Sequence, residues 1–301
     1  MFPIIPAGSA TVSGNEEGIF GYGHNAGGQV SLTNLVSNTG VVSTDVTGVG
    51  QTRAYLAACE YGEDKGIFGY GNATGAGNKS MTNLVSNTGV VSTDVTGVGS
   101  ARRQLGACGY GEDKGIFGYG HDNSSFTATT NLVSNTGVVA SDVTGVGTAR
   151  NYTAACSYGG DKGIFGYGSS AEIYSLTNLV SNTGVVGTDV TGVGTARNAI
   201  AACGYGGDKG IFGYGSSAAG LESMTNLVSN TGVVSTDVTG VGTARSVPDA
   251  TQYGKDKGIF GFGNDGSAAS MTNLVSNTGV VASDVTAVGT ARRGAGACSF
   301  N

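Results

Sequence analysis

Short apolar runs alternate with glycine-rich and polar stretches along the whole chain, and this pattern occurs six times. One segment, Gly-Ile-Phe-Gly, begins at Gly18, Gly66, Gly115, Gly163, Gly210 and Gly258. A second segment, Asn-Leu-Val-Ser-Asn-Thr-Gly-Val-Val, begins at Asn34, Asn83, Asn131, Asn178, Asn226 and Asn273. Successive copies lie 47 to 49 residues apart, and such a period predicts a repeat architecture with one structural unit per copy.

Each unit reads as four short strands, and residues 195–242 show the pattern. Apolar and β-branched runs are separated by Gly-Tyr-Gly-Gly-Asp, by a polar loop and by Ser-Asn-Thr-Gly, and such alternation is typical of antiparallel β-structure. No helical period competes, and the frequent glycine disfavours helix. The four predicted strands are residues 201–203, 209–214, 224–228 and 233–241.

The expected fold is a single all-β domain over residues 1–301, a six-bladed β-propeller of four-stranded antiparallel blades. A radial arrangement lets each blade cover its neighbours and leaves only short strand edges, which suits strands that are apolar on both faces. A solenoid coil usually takes fewer residues, and an isolated glycine-rich unit would bury too little surface. The blades are expected to begin near Gly18, Cys59, Cys108, Cys156, Cys203 and Thr251.

Two segments compete for the first strand of blade one. The C-terminal copy, residues 296–300, keeps the repeated Arg292 and Cys298, whereas the N-terminal copy around residues 9–14 keeps neither. We therefore expect 296–300 to pair into the N-terminal blade and close the ring, with 1–14 as an extension or edge strand. The alternative places 9–14 there and leaves the C-terminus outside.

Composition narrows the classes of function. The net charge is −6, and lysine and arginine are not clustered, which argues against nucleic-acid binding. No run of 18 apolar residues predicts a membrane span, and the N-terminus lacks the basic region and apolar core of a secretory signal. Five cysteines recur at one repeat position, at 59, 108, 156, 203 and 298, and are expected to be buried thiols rather than disulfides.

Sequence variation among the copies points to one face. The turns after strands one and three are nearly constant, whereas the loops 24–31, 72–80, 121–129, 169–175, 216–223 and 264–270 differ. The segments before strand one, at 54–56, 103–105, 151–153, 198–200, 246–249 and 293–295, differ as well. Alternate connections of an up-and-down blade lie at the same end, so both variable sets should share a face, as a binding surface on a fixed scaffold would. Neutral drift of loops is the alternative.

Aromatic and charged side chains on that face are the usual anchors of recognition. The candidates, expected to be exposed, are His24, Tyr55, Lys79, Arg103, His121, Phe126, Tyr152, Tyr174 and Arg293.

No constellation predicts catalysis, a metal or a cofactor. Gly-Ile-Phe-Gly-Tyr-Gly lacks the following helix that a dinucleotide site needs, and only His24 and His121 could act as bases. Two histidines without matching cysteines do not predict a metal site. A structural role is favoured for two repeated sets, the aspartates 45, 94, 142, 189, 237 and 284 and the arginines 53, 102, 150, 197, 245 and 292.

The order Ala196-Arg197, Ala202-Cys203, residues 209–215 and Asn226-Leu227-Val228 resembles kelch blades, with Gly-Tyr-Gly in place of the paired glycine and no tryptophan. The repeated phrases Asp-Lys-Gly-Ile-Phe-Gly-Tyr-Gly and Thr-Asn-Leu-Val-Ser-Asn-Thr-Gly-Val-Val resemble repeat proteins encoded by marine tailed bacteriophages. That resemblance implies a virion protein, a tail or fibre component. Since no catalytic constellation is predicted, we also expect the protein not to be an enzyme. Its variable face would contact a host receptor, a glycan or another virion protein.

Three alternatives stay open. A lectin-type propeller would bind carbohydrate in or between blades. A hydrolase with an inserted site is the least favoured. A designed symmetric scaffold would explain the likeness of the copies, although the irregular loops and uneven spacing speak against it.

Overall fold

A computed structural model describes residues 16–286 and 288–300, and every regular element in those ranges is a β-strand. The strands are β1 (Glu17–Gly21), β2 (His24–Asn25), β3 (Gly28–Gln29), β4 (Thr33–Val36), β5 (Ala57–Tyr61), β6 (Lys65–Gly69), β7 (Asn72–Ala73), β8 (Gly77–Asn78), β9 (Thr82–Val85), β10 (Gly106–Tyr110), β11 (Lys114–Gly118), β12 (Thr130–Val133), β13 (Ala154–Tyr158), β14 (Lys162–Gly166), β15 (Thr177–Val180), β16 (Ala201–Tyr205), β17 (Lys209–Gly213), β18 (Ser216–Ser217), β19 (Gly220–Leu221), β20 (Thr225–Val228), β21 (Asp249–Tyr253), β22 (Lys257–Gly261), β23 (Thr272–Val275) and β24 (Gly296–Phe300).

Eighteen of these strands form six antiparallel sheets of three, which confirms the expected all-β repeat. In chain order we call them sheet 1 (β24-β1-β4), sheet 2 (β5-β6-β9), sheet 3 (β10-β11-β12), sheet 4 (β13-β14-β15), sheet 5 (β16-β17-β20) and sheet 6 (β21-β22-β23). The first, second and third strands of a sheet are named in that order. The remaining strands form two-residue hairpins, β2-β3, β7-β8 and β18-β19, within the variable loops.

Sheet 1 joins the two ends of the described chain. Strand β24 pairs antiparallel with β1 over its full length, with Ile19 opposite Cys298 and Gly21 opposite Gly296. The expected pairing of residues 296–300 into the first repeat is therefore confirmed. The competing segment 9–14 lies outside the described residues, as does the rest of the proposed extension 1–14.

The expectation of a fourth strand was wrong in its detail. After each constant turn the chain returns to the third strand through only two isolated bridges, in sheet 1 Val36 with Val42 and Thr33 with Val46. Val42 and Val46 are four positions apart, whereas their partners Val36 and Thr33 are only three apart, so the returning segment has one extra residue and the pairing is bulged. The Asn34 side-chain amide donates to Ser43 O at 2.9 Å, and Ser43 Oγ accepts the Leu35 N–H at 2.9 Å. Side chains thus replace part of the ladder.

Adjacent sheets interlock through glycines of the second strand. A Cβ atom on Gly21 of sheet 1 would lie only 2.7 Å from the Phe68 ring of sheet 2. Likewise, a Cβ atom on Gly66 would lie 2.5 Å from Cys298 Sγ. The same contacts recur between successive sheets, and Phe20 of sheet 1 packs on Gly261 of sheet 6. Because these positions admit no side chain, glycine sets the close spacing of the sheets.

The repeated arginines are buried between sheets, as the structural reading predicted. Each lies over the aromatic ring that follows the second strand of one sheet and donates to the asparagine of the next sheet's third strand. Arg150 lies 4.3 Å from the Tyr119 ring centroid, and its Nη2 donates to Asn178 Oδ1 at 2.7 Å. The amide of Asn178 donates to Asp189, whose carboxylate also accepts the Thr148 hydroxyl. Repeated aspartates therefore hold the segment before the first strand.

Candidate ligand-binding face

The two variable sets of segments lie together. In every repeat the residue after the buried arginine pairs by an isolated bridge with the loop that follows the second strand. The six bridges are His24–Arg293, Ala54–Asn72, Arg103–His121, Asn151–Ser169, Asn198–Ser216 and Ser246–Asn264. The expectation that both variable sets share a face is therefore confirmed, and we call this surface the variable face.

The constant turns meet one another at the other end of the strands. Gly62 N–H, after the first strand of sheet 2, donates to Asp113 O at 2.7 Å, and Asn135 Nδ2 donates to Asp113 Oδ2 at 2.9 Å. Equivalent bonds recur, as between Gly159 and Asp208. The sequence of these turns is thus fixed by contacts within and between sheets.

Six residues before the first strands form a closed cycle of backbone hydrogen bonds. In each bond the N–H of one residue donates to the carbonyl of the equivalent residue in the preceding repeat, and Tyr55 N–H completes the cycle by donating to Gly294 O at 2.6 Å. All six have φ between 50° and 58°, a conformation that leaves the backbone groups directed around the cycle. In chain order the members are Tyr55, Gln104, Tyr152, Ala199, Val247 and Gly294.

Two members of the cycle carry large aromatic side chains, and these meet. The rings of Tyr55 and Tyr152 are edge to face with centroids 6.2 Å apart, and Tyr55 lies over Gly294, 2.8 Å from an ideal Cβ there. Both tyrosines line a depression together with Leu56, Leu105 and Asp249. Aromatic rings at the mouth of a small pocket are a common means of holding a flat ligand.

Two arginines whose side chains make no hydrogen bond or ion pair within the described part of the chain lie next to the cycle, Arg103 and Arg293. Burial raises the pKa of Tyr152, as does the neighbouring Tyr55, while the positive charges of Arg103 and Arg293 act in the opposite direction. In the chain Arg103 directly precedes Gln104 and Arg293 directly precedes Gly294, the two members of the cycle on either side of Tyr55. The Nε atoms of both arginines are buried and make no hydrogen bond among the described residues.

Both histidines belong to this region through the bridges to these arginines. The His121 ring packs edge to face on Phe126 with centroids 5.2 Å apart, and His121 Nδ1 is buried without a hydrogen-bond partner in the described structure. His24 pairs with Arg293 across the end of the chain. The structure thus brings seven of the nine predicted residues around the cycle.

The other two candidates lie further out on the variable face. Lys79 follows the β7-β8 hairpin. Its backbone N–H donates to Gly71 O, and its carbonyl accepts a hydrogen bond from the Arg102 N–H. Tyr174 shares a hydrogen bond of 3.0 Å with Ser170 within its own loop. The expected exposure was wrong for eight of the nine residues, since only Phe126, 37% exposed, is open to solvent, and the rest are half-buried by their neighbours in the loops.

Beneath the cycle lies a narrow cavity of about 90 Å³, lined by residues at the start of all six first strands. It contains one carboxylate that the sequence reasoning missed, Asp249, whose Oδ2 has no hydrogen-bond partner among the described residues. Burial raises its pKa to about 7, against the opposing charge of Arg292. Aligning the repeats would have revealed it, because the other five have alanine or glycine there.

A second carboxylate lies further along the same strands. Glu60 occupies a position held elsewhere by glycine, serine or glutamine, and accepts a hydrogen bond of 2.9 Å from Ser299 Oγ. Burial raises its pKa, while the Ser299 bond acts in the opposite direction. The first strands thus carry two carboxylates, Asp249 in this cavity and Glu60 in a second one further along the strands, in contrast to the arginines at the variable face.

No family model matches the chain, and no curated protein matches it. Residues 16–286 and 288–300 contain no helix long and apolar enough to cross a bilayer. Within those same ranges no group of three or more histidine, cysteine, aspartate or glutamate side chains is placed to hold a metal ion.

Proposed function

We propose that the six sheets are the blades of a closed six-bladed β-propeller. Three relationships support this architecture, and each includes a contact between the last and first repeats. They are the packing of Phe20 on Gly261, the bond from Arg292 to Asn34, and the backbone cycle that ends at Gly294 and Tyr55. The cavity lined by all six first strands would be the axial channel.

On this scaffold we infer a non-enzymatic binding module, with the variable face as the binding surface. The observation that carries the inference is the concentration of sequence differences in the bridged segments around the cycle, while the turns at the other end remain nearly constant. Loops that vary on a rigid scaffold are the usual place for recognition. The resemblance of the repeated phrases to phage proteins supports a virion component, in a tail or fibre, that contacts a receptor, a glycan or another virion protein.

Carbohydrate binding is the second candidate, and one observation favours it. The Tyr55–Tyr152 pair offers ring surface at a depression that Gln104 also lines. The Asn151 amide donates to Gln104 Oε1, and Asn151 in turn accepts from the Ser169 hydroxyl. Aromatic surface combined with amide and hydroxyl groups suits a ligand that carries both ring faces and hydroxyls.

A loop-graft variant tests the binding face. Each variable loop would be replaced by the 216–223 loop of sheet 5, and each segment before a first strand by residues 198–200. A control variant would alter the constant turns, with Glu63 and Glu112 changed to the glycine found at Gly160 and Gly207. We expect ligands found on a glycan array, or on purified host surfaces and virions, to be lost by the loop graft and kept by the control. Binding that survives the graft would contradict the assignment.

A further inference from the structure

Nearly all cations of the protein are already paired within it. The lysines at 65, 114, 162, 209, 255 and 257 form ion pairs, and the six repeated arginines are buried between sheets. Arg103, Arg293 and Lys79 are the only lysine and arginine side chains in the described ranges without a hydrogen bond or an ion pair, and all three lie on the variable face. A chain of net charge −6 thus presents its free positive charge on one surface.

Arginine and histidine occur together in the repeats. The six bridged pairs place an arginine at only two positions, Arg103 and Arg293, and the partners across those bridges are the only two histidines of the chain. The other four pairs combine alanine, asparagine and serine. The two Arg–His pairs belong to sheets 1 and 3 and therefore lie on either side of Tyr55, which belongs to sheet 2.

The two arginines lie beside Tyr55 in the cycle. Arg103 directly precedes Gln104 and Arg293 directly precedes Gly294, and these are the two members of the cycle that are hydrogen-bonded to Tyr55. The Nε atoms of both arginines are buried and have no partner in the described structure. Both side chains are partly exposed. An anionic group bound between the two guanidinium groups would be held by charge-assisted hydrogen bonds.

We propose that Arg103 and Arg293 form an anion-binding site at the Tyr55–Tyr152 pair, and that its ligand is an acidic saccharide. The inference rests on the proposed function and adds the class of ligand. The two guanidinium groups would hold the acid group of the sugar, and the tyrosine rings would lie against its ring face.

The rest of the face favours a saccharide over an acidic protein. A stable protein interface needs a dehydrated apolar core, but the large exposed apolar side chains are mostly valines of the constant turns after the third strands, such as Val41 and Val185, and of the bulged segments that follow them. Phe126 and Leu221, each 37% exposed, are the large apolar side chains that the variable loops expose. The cycle is instead surrounded by amides and hydroxyls, which suit a hydroxyl-rich ligand.

Calorimetric titration with galacturonic acid oligomers and with galactose oligomers of equal length tests the site. Arg103→Asn and Arg293→Ser introduce residues that other repeats have at the same positions, so the double variant should fold. Lys65→Gln, on the constant turns, is the charge control. We expect the wild type and the control to bind the acidic oligomer at least about tenfold more tightly than the neutral one, and the double variant to lose this preference.

Equal binding of the two oligomers by the wild type, or a preference kept by the double variant, would overturn the acidic assignment and leave the loop-graft test of the proposed function intact. A polyglutamate peptide that competes as well as the galacturonic acid oligomer would overturn the saccharide assignment in favour of an acidic protein. Loss of the acidic preference after Arg293→Ser alone, with neutral binding unchanged, would support the site.

Discussion

Arg292 Nη2 donates to Asn34 Oδ1 at 2.6 Å and so joins two residues 258 positions apart in the chain. The same bond links Arg150 to Asn178 at 2.7 Å in the middle of the chain. Arg292 also lies 3.8 Å from Asp45, as Arg150 does from Asp189. The contact between the last and first repeats is thus built from the same groups as the internal ones.

This equivalence predicts the cost of breaking the contact. Arg292→Met and Arg150→Met should each lower the free energy of unfolding by about 3 kcal/mol, because each leaves a buried asparagine oxygen and a nearby carboxylate without their cation. Urea denaturation followed by tyrosine fluorescence would measure both. A negligible effect at Arg292 beside a large one at Arg150 would mean that the ends of the chain are not held together.

The glycine contacts predict a rescue experiment. A Cβ on Gly163 would lie 2.5 Å from Cys108 Sγ, so Gly163→Ala should lower stability by about 1–3 kcal/mol through overpacking. Cys108→Ala removes the sulfur. In the Cys108→Ala background, adding Gly163→Ala should therefore cost much less stability than it does in the wild type. Additive effects in a double-mutant cycle would show that the two residues are not in contact.

Thiol reactivity should report the burial of the first strands. All five cysteines are free and buried, and burial raises the pKa of Cys203 to about 12. Thiols of this kind are inert toward disulfide reagents, because the thiolate is the reactive form. At pH 8 we expect no reaction with Ellman's reagent in the native protein and five thiols per chain in guanidinium. Rapid reaction of one thiol before unfolding would contradict this packing.

Asp249 predicts a pH dependence of stability. Its pKa is raised from 3.8 to about 7 in the folded protein, so between these values the folded state keeps a proton that the unfolded state has lost. The free energy of unfolding must therefore fall as pH rises through this window and stay lowered above it. Asp249→Ala introduces the alanine that other repeats have at this position, such as Ala57 and Ala154, and should abolish this decrease in the free energy of unfolding.

We expect this variant to be more stable than the wild type by about 1–3 kcal/mol at pH 8, since it removes a carboxylate that ionises in a buried site with one oxygen, Oδ2, left without a partner in the described structure, and to show little difference at pH 4. Thermal unfolding in matched buffers measures the difference. Glu60→Gly, which has the residue of Gly109 and Gly204, is a second variant for comparison. A gain that is the same at both pH values would rule out ionisation of Asp249 as its cause.

The sequence predicted the repeat, the strands and the segment that joins the chain ends, because these depend on periodicity and on local turn chemistry. It predicted that the two variable sets share a face, since this follows from strand alternation alone. It did not predict the bulged segment after the constant turn, where the Asn34 side-chain amide bonds a backbone carbonyl, Ser43 O, that a regular strand would offer to a backbone N–H. The meeting of Tyr55 with Tyr152 was also beyond it, because these two residues come from different repeats and are brought together by the cycle of left-handed residues.

Hydrogen exchange of the C-terminal strand tests ring closure most directly. If β24 is the first strand of sheet 1, its amides are held by β1 and should exchange as slowly as those of Ala154–Tyr158, the equivalent strand of sheet 4. We predict matching protection in mass spectra of peptides that cover Gly296–Phe300 and Ala154–Tyr158. Full exchange of the C-terminal peptide within seconds, while the peptide from sheet 4 stays protected, would contradict the closed arrangement.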